Sequence, residues 1–233
     1  AGIESAGIAQ PNQNYAGRYA SPEEATVYEL GMKAQFANGA FNVTVFDQTI
    51  EGFQSSIFVG TGFVLANAGQ QSTQGIEFDS IYNLTENLDI TLAGTFLDPV
   101  FDSFVGAQNV DGPVDLSGTK PAGIHEQSII AGLTYNFEFE NGMYGFIRTD
   151  YLYESEVQLV SNVPESLTRE VSTFNASAGL NFDNGWYAQI WARNLTNDEY
   201  YQSAFPAPIQ AGSFNAYPNQ PATFGASISY EFE

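Results

Sequence analysis

The sequence has no cysteine, one histidine and only six Lys and Arg residues among its 233 positions. Without cysteine, neither a disulfide framework nor a thiolate metal site can form. A lone histidine, His125, argues against a conventional zinc site, and the sequence has no Gly-x-Ser-x-Gly motif to indicate a hydrolase. We therefore expect a protein that is not an enzyme, with His125 as an ordinary loop residue.

The scarcity of basic residues leaves a strongly acidic chain. Six Lys and Arg stand against 27 Asp and Glu, which gives a formal charge of −21 at pH 7. This balance disfavours nucleic acid as a partner, because binding to phosphates depends on Lys and Arg. The same charge suits divalent cations or cationic ligands, or serves only to keep the chain soluble.

Long apolar runs are missing as well. No segment approaches the roughly 18 to 20 residues that a membrane-spanning helix needs. A membrane protein of this kind would have to be a β-barrel, in which half of each strand is polar. Residues 1–5 lack the basic and apolar regions of a signal peptide, so we expect a chain that is cytoplasmic, already processed or part of a longer one.

The sequence does contain a repeated alternation of apolar and polar residues. The last segment places an apolar side chain at every second position: Ala222, Phe224, Ala226, Ile228, Tyr230 and Phe232. Nine such runs lie near residues 25–36, 40–50, 74–84, 88–97, 127–139, 143–154, 171–182, 186–195 and 221–232. Period-two alternation predicts strands with one apolar side, and runs of about ten to twelve residues match a tilted crossing of a bilayer.

The connections between these runs alternate between short and long. Tight turns are expected at 37–39, 85–87, 140–142 and 183–185, and the Asn-Gly pairs in the first, third and fourth would supply positive φ. Long loops are expected at 51–73, 98–126, 155–170 and 196–220. Outer-membrane barrels have this asymmetry, with periplasmic turns and extracellular loops. We therefore predict an all-β fold, an antiparallel transmembrane β-barrel over residues 25–233, with residues 1–24 as an extracellular loop.

Four segments resemble the C-terminal part of TonB-dependent outer-membrane receptors. They occur in the order of that family and are Ser21–Lys33, Gly75–Asp79, Ala192–Tyr201 and Tyr217–Gly225. The resemblance implies a larger barrel of about 22 strands closed by an N-terminal plug. Nine strands would then be the C-terminal portion of such a barrel, without the plug or the TonB box.

The resemblance also implies a function in the bacterial outer membrane. Receptors of this family take up a scarce nutrient, such as a metal–siderophore complex, with energy delivered by TonB through the plug. The implied partners are outer-membrane lipid and lipopolysaccharide, the plug and remaining strands, TonB and the barrel assembly machinery. Two alternatives remain open: a small self-contained porin and a soluble β-sandwich binding module.

Candidate substrate-binding residues follow from the strand pattern. Polar residues opposite the apolar side would face the barrel interior, namely Glu77, Asp79, Arg148, Asp150, Gln189 and Arg193. Pairing with one another and with a plug is the alternative role for these charges. In the loop 205–214, Phe205 and Phe214 would either contact ligand or pack on neighbouring loops.

The final strand and the loop acids complete the set of candidates. By resemblance, the final strand would carry the assembly signal in Phe224, Ile228, Tyr230 and Phe232, read by β-augmentation. Tyr and Trp near strand ends would form interfacial girdles: Tyr82, Trp186, Tyr187, Tyr200 and Tyr201. Calcium, or a divalent bridge to lipopolysaccharide, could bind loop carboxylates at Asp98, Asp102, Asp111 and Asp115; solvated surface charge is the alternative.

Overall fold

The computed structural model describes residues 20–59, 62–67, 69–109, 112–161, 163–207, 210 and 212–232, which form strands and no helix. Nine long strands are β1 (Glu24–Phe36), β2 (Gly39–Glu51), β5 (Gln70–Thr85), β6 (Leu88–Ser103), β9 (Gln127–Glu138), β10 (Tyr144–Gln158), β11 (Thr168–Asn181), β12 (Trp186–Arg193) and β15 (Thr223–Tyr230). Six short strands are β3 (Gln54–Val59), β4 (Gly62–Asn67), β7 (Val105–Asn109), β8 (Gly112–Asp115), β13 (Tyr201–Pro206) and β14 (Phe214–Pro218). The described residues contain no helix long and apolar enough to cross a bilayer.

The nine long strands form a single antiparallel sheet. Their order is β1-β2-β5-β6-β9-β10-β11-β12-β15, so each strand pairs with the next long strand along the chain. Tight turns join them at one end of the sheet, the turn end, and the long connections lie at the other, the loop end. The nine predicted runs and the antiparallel fold class are confirmed.

The two faces of this sheet differ in chemistry as the alternation predicts. One face, called the outer face, exposes large apolar side chains on many of its strands, with Leu30 76% and Phe224 77% exposed. The opposite, inner face carries rows of mostly polar cross-strand neighbours, such as Thr44, Glu77 and Thr95. Soluble monomers seldom expose so large an apolar surface, whereas lipid covers it in a transmembrane barrel.

The tight turns use glycine in two different ways. Gly142 and Gly185 have φ of 80° and 82°, the left-handed conformation that the Asn-Gly pairs predict. Gly39 also follows an asparagine, Asn38, but it is not among the glycines with positive φ. A Cβ at Gly39 would lie 2.5 Å from the Ile81 carbonyl oxygen. There the close approach of two strands, not the turn conformation, requires glycine.

The long connections are folded rather than irregular, which the sequence analysis did not predict. Three of them fold back as two-stranded hairpins, β3–β4, β7–β8 and β13–β14. The buried apolar side chains of the described residues gather mainly here, because the wall of the sheet is one layer thick. They form a first cluster of Phe101, Phe104 and Ala107 with Phe53, Val114 and Leu116, and a second cluster of Leu159, Val163 and Ala204 with Val160, Leu167, Phe214 and Ala216.

Aromatic side chains gather on the outer face at the turn end. Phe36 packs on Tyr82 with ring centroids 6.3 Å apart, and Trp186 packs on Tyr230 at 4.9 Å. Tyr82 and Trp186 thus occupy the position expected of an interfacial girdle. Tyr187, predicted to join them, lies on the inner face, because adjacent residues of a strand point to opposite sides.

Candidate functional site

The inner face carries an ion pair at the middle of β10. Arg148 Nη2 lies 2.6 Å from Asp150 Oδ1, and Arg148 Nε donates to both Asp150 oxygens at 3.1 and 3.0 Å. The two residues are two positions apart, so they share a face. Gly132 on β9 leaves space beneath them, since a Cβ there would lie 3.1 Å from Asp150 Oδ1. Asp150 therefore largely neutralises Arg148.

Arg193 lies at the loop end of the same face and, unlike Arg148, its main contact is with an aromatic ring. Its guanidinium lies 5.3 Å from the centre of the Trp191 ring, within the range of a cation–π contact. None of the ion pairs among the described residues includes Arg193, and its side chain is exposed. Arg193 is therefore available to an anionic or hydrogen-bonding ligand at the loop end.

Trp191 is a residue of this site that the sequence analysis missed. Its ring packs closely on Gly225 of β15, where a Cβ would lie 2.5 Å from Trp191 Cζ2. The missed signal was its position: Trp191 stands two residues from both Gln189 and Arg193, so alternation places all three on one face. Gln189 is half-buried between Gly179 of β11 and Ser227 of β15.

The register brings Arg148 and Asp150 of β10 onto one patch of the inner face with Gln189 and Arg193 of β12. Ser177 on β11 pairs with Arg148 on one side and with Trp191 on the other. Strands lie about 4.8 Å apart, so Arg148 and Trp191 stand roughly 10 Å from each other at the same level. The patch combines a hydrogen-bonded ion pair, a tryptophan ring and a guanidinium that pairs with no carboxylate of the described residues. This suits a polar ligand with a planar group.

Phe205 and Phe214 are not part of this patch. Phe205 packs on Tyr217 with ring centroids 5.8 Å apart. Phe214 packs against the second cluster of the loops. Both side chains are half-buried. Phe214 thus packs on a neighbouring connection, whereas Phe205 packs within its own β13–β14 hairpin. Contact of either with a ligand stays a prediction.

The other charged candidates lie apart from the patch. On the inner face Asp79 accepts a hydrogen bond from Asn42 at 2.9 Å. In the loops Asp102 accepts one from Ser72 at 3.0 Å, and hydrogen bonds from the Ser117 side chain and backbone lower the pKa of the Asp115 carboxyl. Asp111 lies outside the described residues, and within them no three acidic or histidine side chains gather as a metal site would require. Calcium binding stays a prediction.

His125 is more engaged than an ordinary loop residue. Its Nδ1 contacts the Ser155 carbonyl oxygen, and its Nε2 lies 3.4 Å from Glu154 Oε2. Glu154 also pairs with Arg169, whose guanidinium lies 5.7 Å from the Tyr200 ring centre. This network joins two connections, β6–β9 and β12–β15, through the loop-end residues of β10 and β11.

The predicted assembly residues lie along the edge strand β15 and just past it. Phe224, Ile228 and Phe232 are highly exposed on the outer face or beyond it, with Phe232 85% exposed. Tyr230 lies between the rings of Trp186 and Phe232, 4.9 and 4.8 Å away. Their role as an assembly signal stays a prediction.

Fold and site together define a class: a transmembrane β-barrel wall with a polar inner face and folded loops at one end. The family described as TonB dependent receptor-like, beta-barrel, matches residues 4–195. The chain belongs to this family, and the resemblance inferred from four short segments is confirmed. The family comprises receptors, so the protein is not an enzyme, and membership decides against both the porin and the soluble sandwich.

Solved structures share the fold at low sequence identity. The ferric yersiniabactin uptake receptor FyuA from Yersinia pestis has a TM-score of 0.72 at 15% identity, over 91% of this chain and 30% of its own. The ferric preacinetobactin receptor BauA from Acinetobacter baumannii has 0.67 at 19%, over 97% and 32%. The copper transporter OprC has 0.63 at 13%, over 91% and 32%. The chain thus spans about a third of their length, and no curated protein matches it.

Proposed function

We propose that the protein is a receptor of the Gram-negative outer membrane that takes up a scarce nutrient such as a metal–siderophore complex. Family membership supports the class, and the named cargoes of FyuA and BauA support a ferric chelate. OprC, named for copper, has the same fold, so the fold alone does not choose the cargo. In this proposal, a plug seated against the inner face and TonB deliver the energy.

The observation that carries the choice of a metal chelate is Arg193, whose guanidinium forms no ion pair with any described carboxylate. Siderophore chelates are commonly anionic and contain planar groups, and a guanidinium binds carboxylates and related oxygen anions in a bidentate manner. The Trp191 face beside it adds an apolar surface. Arg148 contributes less to charge recognition, because Asp150 already accepts its hydrogen bonds. Lipid and lipopolysaccharide would cover the outer face.

A transport assay tests the proposal. Cells that produce the protein should accumulate radiolabelled iron from at least one member of a panel of ferric siderophores, and deletion of TonB should abolish the uptake. Arg193→Gln should raise the siderophore concentration for half-maximal uptake by about tenfold, the effect of one charge-assisted pair. Uptake that persists without TonB would contradict the proposal.

Lys33→Gln is the matched control. Lys33 lies on the inner face of β1 toward the turn end, paired across the sheet with Asn42. It also forms no ion pair with a described carboxylate. The control removes one positive charge from the same wall but not from the loop end, so uptake should keep its normal concentration dependence. An equal loss in both variants would mean that overall charge, not the Arg193 site, controls uptake.

A further inference from the structure

The loop end of the sheet is divided into two packed units. The first cluster joins the β2–β5 connection to the β6–β9 connection, through Phe53 and Phe101 with ring centroids 5.7 Å apart. The second cluster joins the β10–β11 connection to the β12–β15 connection, through contacts of Leu159 and Val163 with Ala204. Each unit is held by buried apolar side chains. The junction between the two units is polar instead.

Polar contacts hold the two units together at this junction. The Gly123 amide of the first unit's β6–β9 connection donates to the Gln158 carbonyl oxygen at 2.9 Å. His125 Nδ1 contacts the Ser155 carbonyl oxygen. The backbone amide of Gln127 donates to Ser155 Oγ at 3.1 Å. The β9–β10 ladder ends here at Ser128 and Glu154, and beyond it the junction depends on these few hydrogen bonds near one imidazole.

Both nitrogens of that imidazole face hydrogen-bond acceptors. A carbonyl oxygen only accepts, so the contact with Ser155 requires a proton on His125 Nδ1. His125 Nε2 lies 3.4 Å from the Glu154 carboxylate, which also only accepts when ionised. The neutral ring carries one N–H and leaves a lone pair facing Glu154. The imidazolium carries two and can donate to both acceptors.

The charged groups around His125 determine how strongly Glu154 stabilises the imidazolium. Glu154 of β10 is shared with Arg169 of β11, which opposes a second positive charge. On the segment of His125 itself, Lys120 and Glu126 form an ion pair at 2.6 Å and nearly cancel. Glu156 of β10 accepts a hydrogen bond from Thr168 Oγ1 of β11 at 3.1 Å. The His125 side chain is only 12% exposed, so solvent competes little for its donors.

We propose that His125 is a protonation-dependent latch between the two loop units. With the imidazolium, both ring N–H groups connect the β6–β9 connection to β10, and the units are held in a fixed relative position. With the neutral ring the Glu154 contact is lost, and the first unit gains freedom relative to the second. The entrance to the inner face is therefore tighter in mildly acidic medium than in alkaline medium, whatever cargo the receptor carries.

Distance measurements between the two units test the latch. The chain has no native cysteine, so spin labels can be attached at V105C and S166C, two exposed positions on opposite units. In lipid vesicles, the distance distribution should be narrow at about pH 5.5 and broad at about pH 8.5, because only the protonated ring donates to both acceptors. The Gly123 amide should exchange about tenfold faster at the higher pH after correction for intrinsic rates, the effect of one hydrogen bond to a charged group.

Two variants and one spectrum separate the latch from other effects of pH. His125→Gln cannot titrate, so its distribution should not change between the two pH values. Glu154→Gln keeps the shape of the acceptor without its charge and should also remove the response. Because His125 is the sole histidine, its imidazole resonance reports protonation directly and should titrate in step with the distance change. A distance distribution that does not change with pH while His125 is present would overturn the proposal. So would a pH response that survives in His125→Gln, or an imidazole resonance that does not change together with the distance.

Discussion

Asn194 shows how one residue can organise a whole connection. It follows the last residue of β12 with φ of 48° and is 6% exposed. Its side-chain amide donates to the carbonyl oxygens of Asp198 and Gln220 at 2.9 and 3.1 Å, and its Oδ1 accepts from the Asp198 amide at 2.8 Å. Asparagine tolerates the left-handed conformation and can bond to nearby backbone. This explains why an asparagine suits position 194, within the segment 192–201 that resembles the family.

Replacement of Asn194 should destabilise the loop end. Asn194→Ala removes three part-buried hydrogen bonds and adds strain at positive φ, so we expect a loss of about 2–4 kcal/mol in the free energy of unfolding. Asn194→Gly removes the same hydrogen bonds but relieves φ, so it should lose about 1 kcal/mol less than the alanine variant. Urea unfolding in vesicles measures both. Equal losses would mean that backbone conformation contributes nothing.

At the scale of the element, the folded connections are the main feature that distinguishes this sheet from a bare wall. The β7–β8 hairpin is tied to the end of β6, where Phe101 and Phe104 pack edge to face with centroids 5.0 Å apart. Phe101 is 4% exposed. Three backbone hydrogen bonds close the base of this connection: the amides of Phe101, Leu116 and Gly118 donate to the carbonyl oxygens of Thr119, Phe104 and Phe101. The hairpin is thus held by the first cluster and by backbone hydrogen bonds at its base.

Phe101→Ala should release the β7–β8 hairpin without unfolding the sheet. Loss of a buried phenyl ring typically costs about 3–5 kcal/mol, and here the cost falls on the first cluster. We expect faster proteolysis within the β6–β9 connection and unchanged hydrogen exchange in β10 and β11. The adjacent Val105 is 75% exposed, so Val105→Ala is a matched control that should keep native protection. Equal sensitivity of both variants would disprove the role of the cluster.

The long strands could be predicted from the sequence, but the loop hairpins could not. Alternation over ten or more residues fixes both strand and face, so the nine runs and the shared face of Arg148, Asp150 and Arg193 follow directly. The first cluster instead joins Phe53 to Phe101, residues whose proximity depends on the pairing of β5 with β6. The Arg148–Trp191 patch likewise requires the register through Ser177. The local sequence pattern predicts neither the Phe53–Phe101 contact nor the Arg148–Trp191 patch.

At the scale of the whole molecule, the two faces of the sheet require two different surroundings. Ile190 on the outer face of β12 is 64% exposed, and its β15 neighbour across the ladder is Ala226. One residue away, Gln189 and Ser227 pair on the inner face. Burial against other parts of the described chain does not explain the apolar side chains of the outer face, and contact with lipid does.

A pair of arginine substitutions measures this difference directly. Ile190→Arg places a charge among lipid chains and should cost about 2–4 kcal/mol if it lies near the bilayer midplane. Ser227→Arg, on the adjacent strand but the inner face, meets water and polar groups and should cost less than about 1 kcal/mol. Equilibrium unfolding from vesicles of defined thickness gives both values. A cost that is the same on both faces would contradict the assignment of the outer face to lipid.

The boundaries of the outer face give the molecule a measure of membrane thickness. On β5 the apolar stretch runs from Gln74, whose amide donates to Asp47 at 2.7 Å, to Tyr82 in the aromatic girdle at the turn end. These eight steps at about 3.4 Å each span roughly 27 Å along the strand, or roughly 20 Å along the membrane normal at a tilt of about 40°. Such a short apolar height suits the thin bacterial outer membrane. In a thicker bilayer the carboxylate of Asp47 would be drawn into hydrocarbon, so the height of the outer face limits the bilayer thickness that the sheet fits.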